Sequence, residues 1–413
     1  MGVFKSLATS LLALCLCIPS IAEQVGQIKS MKLLTPDIGW ASTSQKLFWT
    51  ADAGAHWKDI TPKLHHKWQM VSSVFFIDSS SGWVVLKCAD RTNNAADDPC
   101  FEVASTTNAG ETWSVVHPKI VDPDPDSGFS EQAYLDFADK NRGWMILKIS
   151  KNVAVSSGVM MRTEDGGKTW KQMPAPPIAD QLRFINAEDG WMAGGPDQEL
   201  YSTHDAGTSW QRVELNAPQS VSSDLSPVCD LPVFEARQGY LAVAYESSVS
   251  LAASIVLFRT DDGGKTWHPA QNTTAVPITR PWSPIPWTVA NGGTLIAMIT
   301  SGHLNLSWFE TGSVSKNQSS ALPVHAKVPE RLSFASAQRG WLLASQRLFL
   351  TTNGGGVGRM SHLRTRHSGR STLARPRWRL HWRPSGPSHS RYLHNATGNQ
   401  RRWAGSRLLC DRS

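Results

Sequence analysis

The stretch Thr163-Glu-Asp165-Gly-Gly167-Lys-Thr-Trp170 decides the fold, because the chain spells it repeatedly. Earlier copies are Thr50-Ala-Asp52-Ala-Gly54-Ala-His-Trp57 and Thr106-Thr-Asn108-Ala-Gly110-Glu-Thr-Trp113. Later ones are Thr203-His-Asp205-Ala-Gly207-Thr-Ser-Trp210 and Thr260-Asp-Asp262-Gly-Gly264-Lys-Thr-Trp267. A sixth begins at Thr351-Thr-Asn353-Gly-Gly355 and breaks off, with Gly358 standing where Trp is due. Repeats at roughly 40–60 residues signify an array of small sheets, most often propeller blades.

The box has a local physical reading. Asp52, Asn108, Asp165, Asp205, Asp262 and Asn353 present a side-chain oxygen that can accept backbone N–H bonds and close a tight turn. The following Gly supplies the positive φ such a turn needs. The Thr ends an incoming strand, and the Trp opens the outgoing one with its indole folded back over the turn. Each box is thus a hairpin clasp. A catalytic group is not needed five times over, so these side chains are read as structural.

A second signal alternates with the first. Gly39-Trp40, Gly82-Trp83, Gly143-Trp144, Gly190-Trp191 and Gly340-Trp341 recur, with Gly239-Tyr240 as a variant. Each follows an apolar run and a polar turn, which reads as strand, turn, strand. The step from Tyr240 to Trp341 spans two units, and the missing one falls near Gly292-Gly293-Thr-Leu-Ile-Ala-Met298. The expected fold is therefore all-β: a seven-bladed β-propeller of four-stranded antiparallel blades over residues 23–356.

Residues 1–22 read as a cleaved secretory signal, with Lys5, an apolar core from Leu11 to Ile18, and Ser20-Ile-Ala22 as the cleavage site. Lipidation at Cys15 or Cys17 is the lesser reading, because Leu14 and Leu16 are bulky for the residue before a lipidated Cys. No later run is long and apolar enough to span a bilayer. The expected product is a soluble monomer in the periplasm or outside the cell. In that oxidising setting Cys88 and Cys100, which flank a polar loop, are expected to form a disulfide. Cys229 is expected to be a buried free thiol.

The net charge of +7 misleads, because residues 357–413 hold 13 Arg, no Lys and a single acid, Asp411. The remainder is mildly acidic, which removes the case for nucleic-acid binding by the whole chain. This Arg-rich segment starts inside the sixth box and shows no strand alternation. A basic arm, a natural disordered tail and the product of a shifted reading frame all fit its composition, and the mid-motif start favours the last. The final blade is accordingly expected to be incomplete and the segment disordered, with Val25 to Leu34 as a candidate strand for closing that blade.

Both kinds of turn must lie on one face of the propeller, so the longer and more varied connections lie on the other, where binding loops tend to sit. Candidate binding residues there are Asp122, Asp124 and Asp126, then Arg280, Trp282 and Trp287. The tryptophans could stack on a sugar or a peptide proline, or simply pack between blades. The prolines between the three aspartates hold an extended conformation that spreads the carboxylates, which disfavours a calcium loop. His65-His66 lacks further ligands at a telling spacing, so no metal or other cofactor is expected.

The exported start, the Gly-Trp turns and the Thr-x-Asp-Gly-Gly-Lys-Thr-Trp boxes together resemble the Asp-box (BNR) repeat proteins. Within them, residues 25–356 look most like the family of the photosystem II stability/assembly factor. The resemblance implies a propeller acting without cofactor as an assembly or binding scaffold for protein partners. Sialidases and xyloglucanases carry the same boxes, so a carbohydrate-binding or glycoside-hydrolase propeller is the alternative. A sialidase needs an arginine trio and a Tyr nucleophile activated by Glu. Residues 23–57 contain no Arg, and Tyr134, Tyr201, Tyr240 and Tyr245 all read as strand residues. Nor does anything single out a carboxylate pair of the glycosidase kind. The chain is therefore read as a non-enzyme.

Overall fold

A computed structural model describes residues 26–361, apart from 64–68, 89–100, 122–129, 151–155, 248–251, 271–275, 280–286, 291–293, 301–302, 311–312, 322–328, 337 and 354–356. The described residues are built from antiparallel sheets, six of four strands and one of six. In the first sheet Ser30–Leu33, Gly39–Ser42, Leu47–Thr50 and Lys58–Asp59 follow one another as a meander. The sheets beginning at Gln69, Ser130, Gln181, Trp287 and Pro329 repeat this order. The result is an all-β propeller with four-stranded antiparallel blades. The weakly written repeat near Gly292 does form a sheet, with Thr294–Thr300 as its second strand.

The first strands of neighbouring sheets lie against one another at Gln69–Phe76 with Ser130–Phe137, Ser130–Phe137 with Gln181–Phe184, Trp287–Ala290 with Pro329–Phe334, and Pro329–Phe334 with Ser30–Leu33. They are joined by side chains rather than by ladders. Ser72 Oγ accepts the Ala133 N–H at 3.1 Å, and Asp136 Oδ2 accepts the Phe184 N–H at 2.7 Å. Ser333 Oγ accepts the Leu33 N–H at 2.9 Å, tying the last sheet to the first. Strands that fan out from a common centre cannot keep ladder spacing between sheets, so a polar side chain satisfies the stray backbone donor instead.

The Gly-Trp words acquire a cause. Phe76, Phe137, Phe184 and Phe334 end the first strands of their sheets, Phe234 lies within the short strand Val233–Glu235, and all five lie directly across Gly82, Gly143, Gly190, Gly340 and Gly239 respectively. A Cβ at any of these glycines would fall 2.4–2.6 Å from the ring. The Trp after the Gly then reaches into the next sheet. Trp83 stacks on Phe137 and Trp144 on Phe184, each with centroids 3.6 Å apart. Their indole N–H groups donate to Gly166 O at 2.8 Å and Ala206 O at 2.9 Å, inside the next sheet's box. Trp341 makes the same bond to Ala53 O at 3.2 Å across the junction of the last and first sheets. Burial of each indole thus bolts neighbouring sheets together, and these residues dominate the cores between them.

Three expectations are corrected. The last sheet is not incomplete: Val357–Ser361 pairs with Arg347–Thr351 as its fourth strand. An outermost strand is held by backbone bonds on one edge and needs no apolar alternation, which is why the composition concealed it. Ser30–Leu33 is the inner strand of the first sheet and not a strand of the last. Finally, the longer connections of the opposite face, expected to be loops, include strands at Ser226–Cys229 and Val276–Thr279. The hairpin Gln238–Glu246/Ala252–Thr260 has nine residues per arm, while its outer partner His268–Pro269 has two. Val276–Thr279 pairs with Ala252–Ile255, the part of that edge left uncovered. The segment beyond residue 361 lies outside the described residues, as do residues 1–25.

Candidate functional site

Each box builds the same turn from its own atoms. Thr163 Oγ1 donates to Asp165 Oδ1 at 2.8 Å and accepts the Gly167 N–H at 2.9 Å. Asp165 Oδ1 accepts the Thr169 N–H at 2.9 Å, and Oδ2 takes the Thr169 hydroxyl at 2.6 Å. Asp52, Asn108, Asp205 and Asp262 repeat the bond to the N–H four residues on, at 2.8–3.0 Å. In the sixth box Thr351 Oγ1 donates to Asn353 Oδ1 at 3.3 Å.

Two successive residues of the turn have positive φ, not one. Gly166 and Gly167 sit at 74° and 87°, while Ala53, Ala109 and Ala206 accept 57–62° at the first position. That strained residue earns its place through its N–H, which donates to the neighbouring Gly-Trp turn: Ala53 to Asp37 O at 2.7 Å, Gly166 to Asn141 O at 2.8 Å. Burial alone would push the box carboxyls upward in pKa. The backbone and hydroxyl donors outweigh it, and Asp52, Asp165, Asp205 and Asp262 all lie below the usual carboxylate value. A carboxylate so fully engaged by its own turn is a poor acid, base or ligand.

All four tyrosines considered for nucleophilic chemistry stand in strands. Tyr201 does meet a glutamate, donating its hydroxyl to Glu199 Oε2 at 2.6 Å. That bond, with burial, raises the phenol pKa. A nucleophile needs the opposite shift. Glu199 is also held by Arg212 at 3.0 Å. Burial likewise raises Tyr134, and takes Tyr245 to about 12.

On the inner strands Lys32, Asp136 and Arg183 influence one another. Burial lifts Asp136 to about 6 against the pull of Arg183, the Phe184 N–H and Lys32. Lys32 keeps contact with solvent yet is walled in by protein, which lowers its pKa, and its Nζ sits 5.4 Å from the Phe75 ring centre.

A groove of about 840 Å³ runs between the outer strands of the second and third sheets. One wall is the segment after Ser114–Val116, carrying His117, Pro118, Lys119 and Val121. The other is the end of a box and the strand Lys171–Gln172. The Val121 N–H donates to Gln172 Oε1 at 2.7 Å and ties the walls together. Among the described residues Val121 is the one large apolar side chain recorded as exposed, at 69%.

The residues singled out from the sequence fare unevenly. Asp122, Asp124, Asp126, Arg280 and Trp282 lie outside the described residues, as do His65-His66. Trp287 opens the strand Trp287–Ala290, in register with Met298. Cys88 ends a strand and Phe101 begins the next, while Cys100 and the segment 89–99 lie outside the described residues. Cys229 is a buried free thiol, its pKa pushed to about 12 by burial. Among the described residues no group of three or more metal-ligating side chains occurs, and no helix is long and apolar enough to cross a membrane. The sequence reading missed the groove, whose walls are about 50 residues apart in the chain and meet only through blade packing.

Comparison with known proteins agrees with the resemblance drawn from the boxes. A family model described as "Photosynthesis system II assembly factor YCF48" matches residues 126–223, and the BNR/Asp-box repeat model matches 258–269. The photosystem II assembly lipoprotein Ycf48 of Synechococcus sp. (strain CC9902) is 27% identical over 141 residues, covering 32% of this chain. The match spans only about a third, 35%, of that relative's length. Among solved structures, "YCF48 bound to D1 peptide" is 18% identical over 73% of this chain and 86% of its own, with a TM-score of 0.43. YCF48 from Cyanidioschyzon merolae is 16% identical over 72% and 86%, with a TM-score of 0.44. The GH74 enzyme of Niastella koreensis is 14% identical over 80% and 55%, with a TM-score of 0.32. The chain is thus similar to Asp-box propellers of the photosystem II assembly-factor type.

Proposed function

We propose that this chain is an exported, non-catalytic propeller of seven blades that binds protein partners as an assembly factor. The observation that carries the reading is the match of residues 126–223 to the assembly-factor model, a stretch that holds two complete sets of Gly-Trp turn and box. The seven-blade count rests on the seven sheets and on the Trp341 and Ser333 bonds between the last and the first. Export rests on the signal-like residues 1–22, and the relative named a lipoprotein is consistent with it. A scaffold reading also fits the chemistry of the repeated carboxylates, which are spent on their own turns, and the raised phenol of Tyr201.

The test sets turnover against binding. Purified protein is offered a panel of fluorogenic glycosides and, separately, an arrayed decapeptide library. The proposal expects no turnover and saturable peptide binding. Turnover abolished by substituting one carboxylate, with no peptide retained, would overturn it in favour of the glycosidase alternative.

A further inference from the structure

The geometry points to the groove between the second and third sheets as a docking site for an extended acidic peptide carrying an apolar anchor. This deepens the scaffold reading and rests on it.

The charge in the groove is one-sided. Lys119, Lys168 and Lys171 line it, and among the described residues no carboxylate does. All three are exposed, and among the described residues none is in an ion pair. Three exposed lysines outside the groove do have acidic partners, Lys46 with Asp59, Lys58 with Glu111 and Lys140 with Asp78, whereas the groove brings three unpaired ones to a single cleft. His117, on the same wall, is held by the buried Glu102 at 2.8 Å. Unpaired like charges facing one cleft repel one another, and an acidic ligand relieves that repulsion while being steered into place.

The apolar part is equally specific. Trp170, Met173 and Val116 are half-buried in the walls, and Val121 projects from the rim. An aromatic flanked by aliphatic groups and ringed by charge is the usual make-up of an interface anchor pocket. Extended rather than helical ligands suit the walls. Both are outer strands, Ser114–Val116 and Lys171–Gln172, which pair with their sheets along one edge only. The volume is within the range of clefts that enclose a ligand rather than merely touch it.

The test uses the full chain and the fluorescein-labelled decapeptide library, sorted by net charge, with affinity read by anisotropy. Acidic peptides with one large apolar residue should bind best, and their affinity should weaken as salt rises. The triple variant Lys119→Glu/Lys168→Glu/Lys171→Glu should weaken them by about tenfold or more, and Val121→Asp should weaken them with the lysines intact. Lys46→Glu/Lys58→Glu, on lysines outside the groove, should leave binding unchanged. All variants are checked for an unchanged melting temperature, and the substituted lysines and Val121 are exposed. If acidic peptides bind the natural chain but the triple variant holds them equally well, the scaffold reading stands and the groove is not its site. If no peptide of any charge binds, both readings fall. If binding is seen only in Asp122→Asn/Asp124→Asn/Asp126→Asn, the occupant is the chain's own acidic segment, and the proposal of an external peptide is overturned.

Discussion

The box at 163–170 and the groove beside it share residues yet obey different rules. Lys168, Thr169 and Trp170 belong to both. Facing inward, Thr169 closes the turn on Asp165 through the N–H bond that four other boxes repeat, and the Trp170 indole donates to Gly167 O at 3.1 Å, as Trp267 does to Gly264 O. Facing outward they meet Lys119 and Val121 of the neighbouring sheet. What occurs five times holds the ring, and what the neighbouring sheet adds to one box is free to recognise. The same division explains why the strained backbone of this molecule lies in its turns without marking a catalytic centre. In each box the strain is offset by a hydrogen bond to the adjacent turn.

The comparison breaks most decisively at the bolts between sheets. Trp144→Ala removes a fully buried indole, its stack on Phe184 and its bond to Ala206 O. The expected cost is about 3–5 kcal/mol in unfolding free energy, as for other buried aromatic truncations. Urea titration followed by tryptophan fluorescence measures it. A loss under about 1 kcal/mol would mean that the sheets do not depend on these indoles. Trp144→Phe sharpens the point, since it keeps a stacking ring while losing the hydrogen bond and part of the buried volume.

Next in size is Gly143→Ala. The added Cβ would stand 2.4 Å from the Phe137 ring, and the ring is held by the Trp83 stack on its other side. Overpacking of this kind costs about 1–3 kcal/mol. The double variant Gly143→Ala/Phe137→Leu should recover part of that loss if the ring is the obstacle. Equal destabilisation in single and double variants would place the cause in the backbone instead.

These bolts also mark the limit of what the sequence disclosed. The boxes were legible because turn chemistry is local: hydroxyl, carboxylate and Gly act within five residues of one another. The Gly-Trp words were equally visible, but their cause was not. Gly143 is set by Phe137 six residues earlier, and Trp144 by an acceptor at Ala206, in another sheet. Two strands escaped notice for a related reason. Val276–Thr279 contains Pro277, and Val357–Ser361 opens an Arg-rich segment, so neither looks like a strand out of context. Each is recruited by an edge that a longer neighbour leaves open. The groove is the extreme case, because no residue in it departs from surface composition until two sheets bring its walls together. The acidic connection from Asp122 onward drew the eye by its charge, while the charge that lines the groove is that of Lys119, Lys168 and Lys171.

The smallest expected effect concerns a single box. Asp165→Ala deletes an acceptor for the Thr163 hydroxyl, the Thr169 hydroxyl and the Thr169 N–H. Because the turn borders solvent, water replaces part of this, and the cost at neutral pH should be about 1–2 kcal/mol. The loss should depend on pH with a definite sign. The folded-state pKa of Asp165 lies below its ordinary 3.8, because its hydrogen bonds overcome the opposing effect of burial. Its ionised form is therefore favoured by folding. The stabilisation is fully present above 3.8 and is lost as the pH falls through the folded-state value. The gap in melting temperature between the natural chain and Asp165→Ala should be constant from about pH 5 to pH 7 and should narrow below about pH 4. Affinity for acidic peptides, measured on the same variant at neutral pH, should hold, since Asp165 does not line the groove. Loss of peptide binding with the melting temperature intact would reverse the division, making the box a recognition element and the groove an incidental gap between sheets.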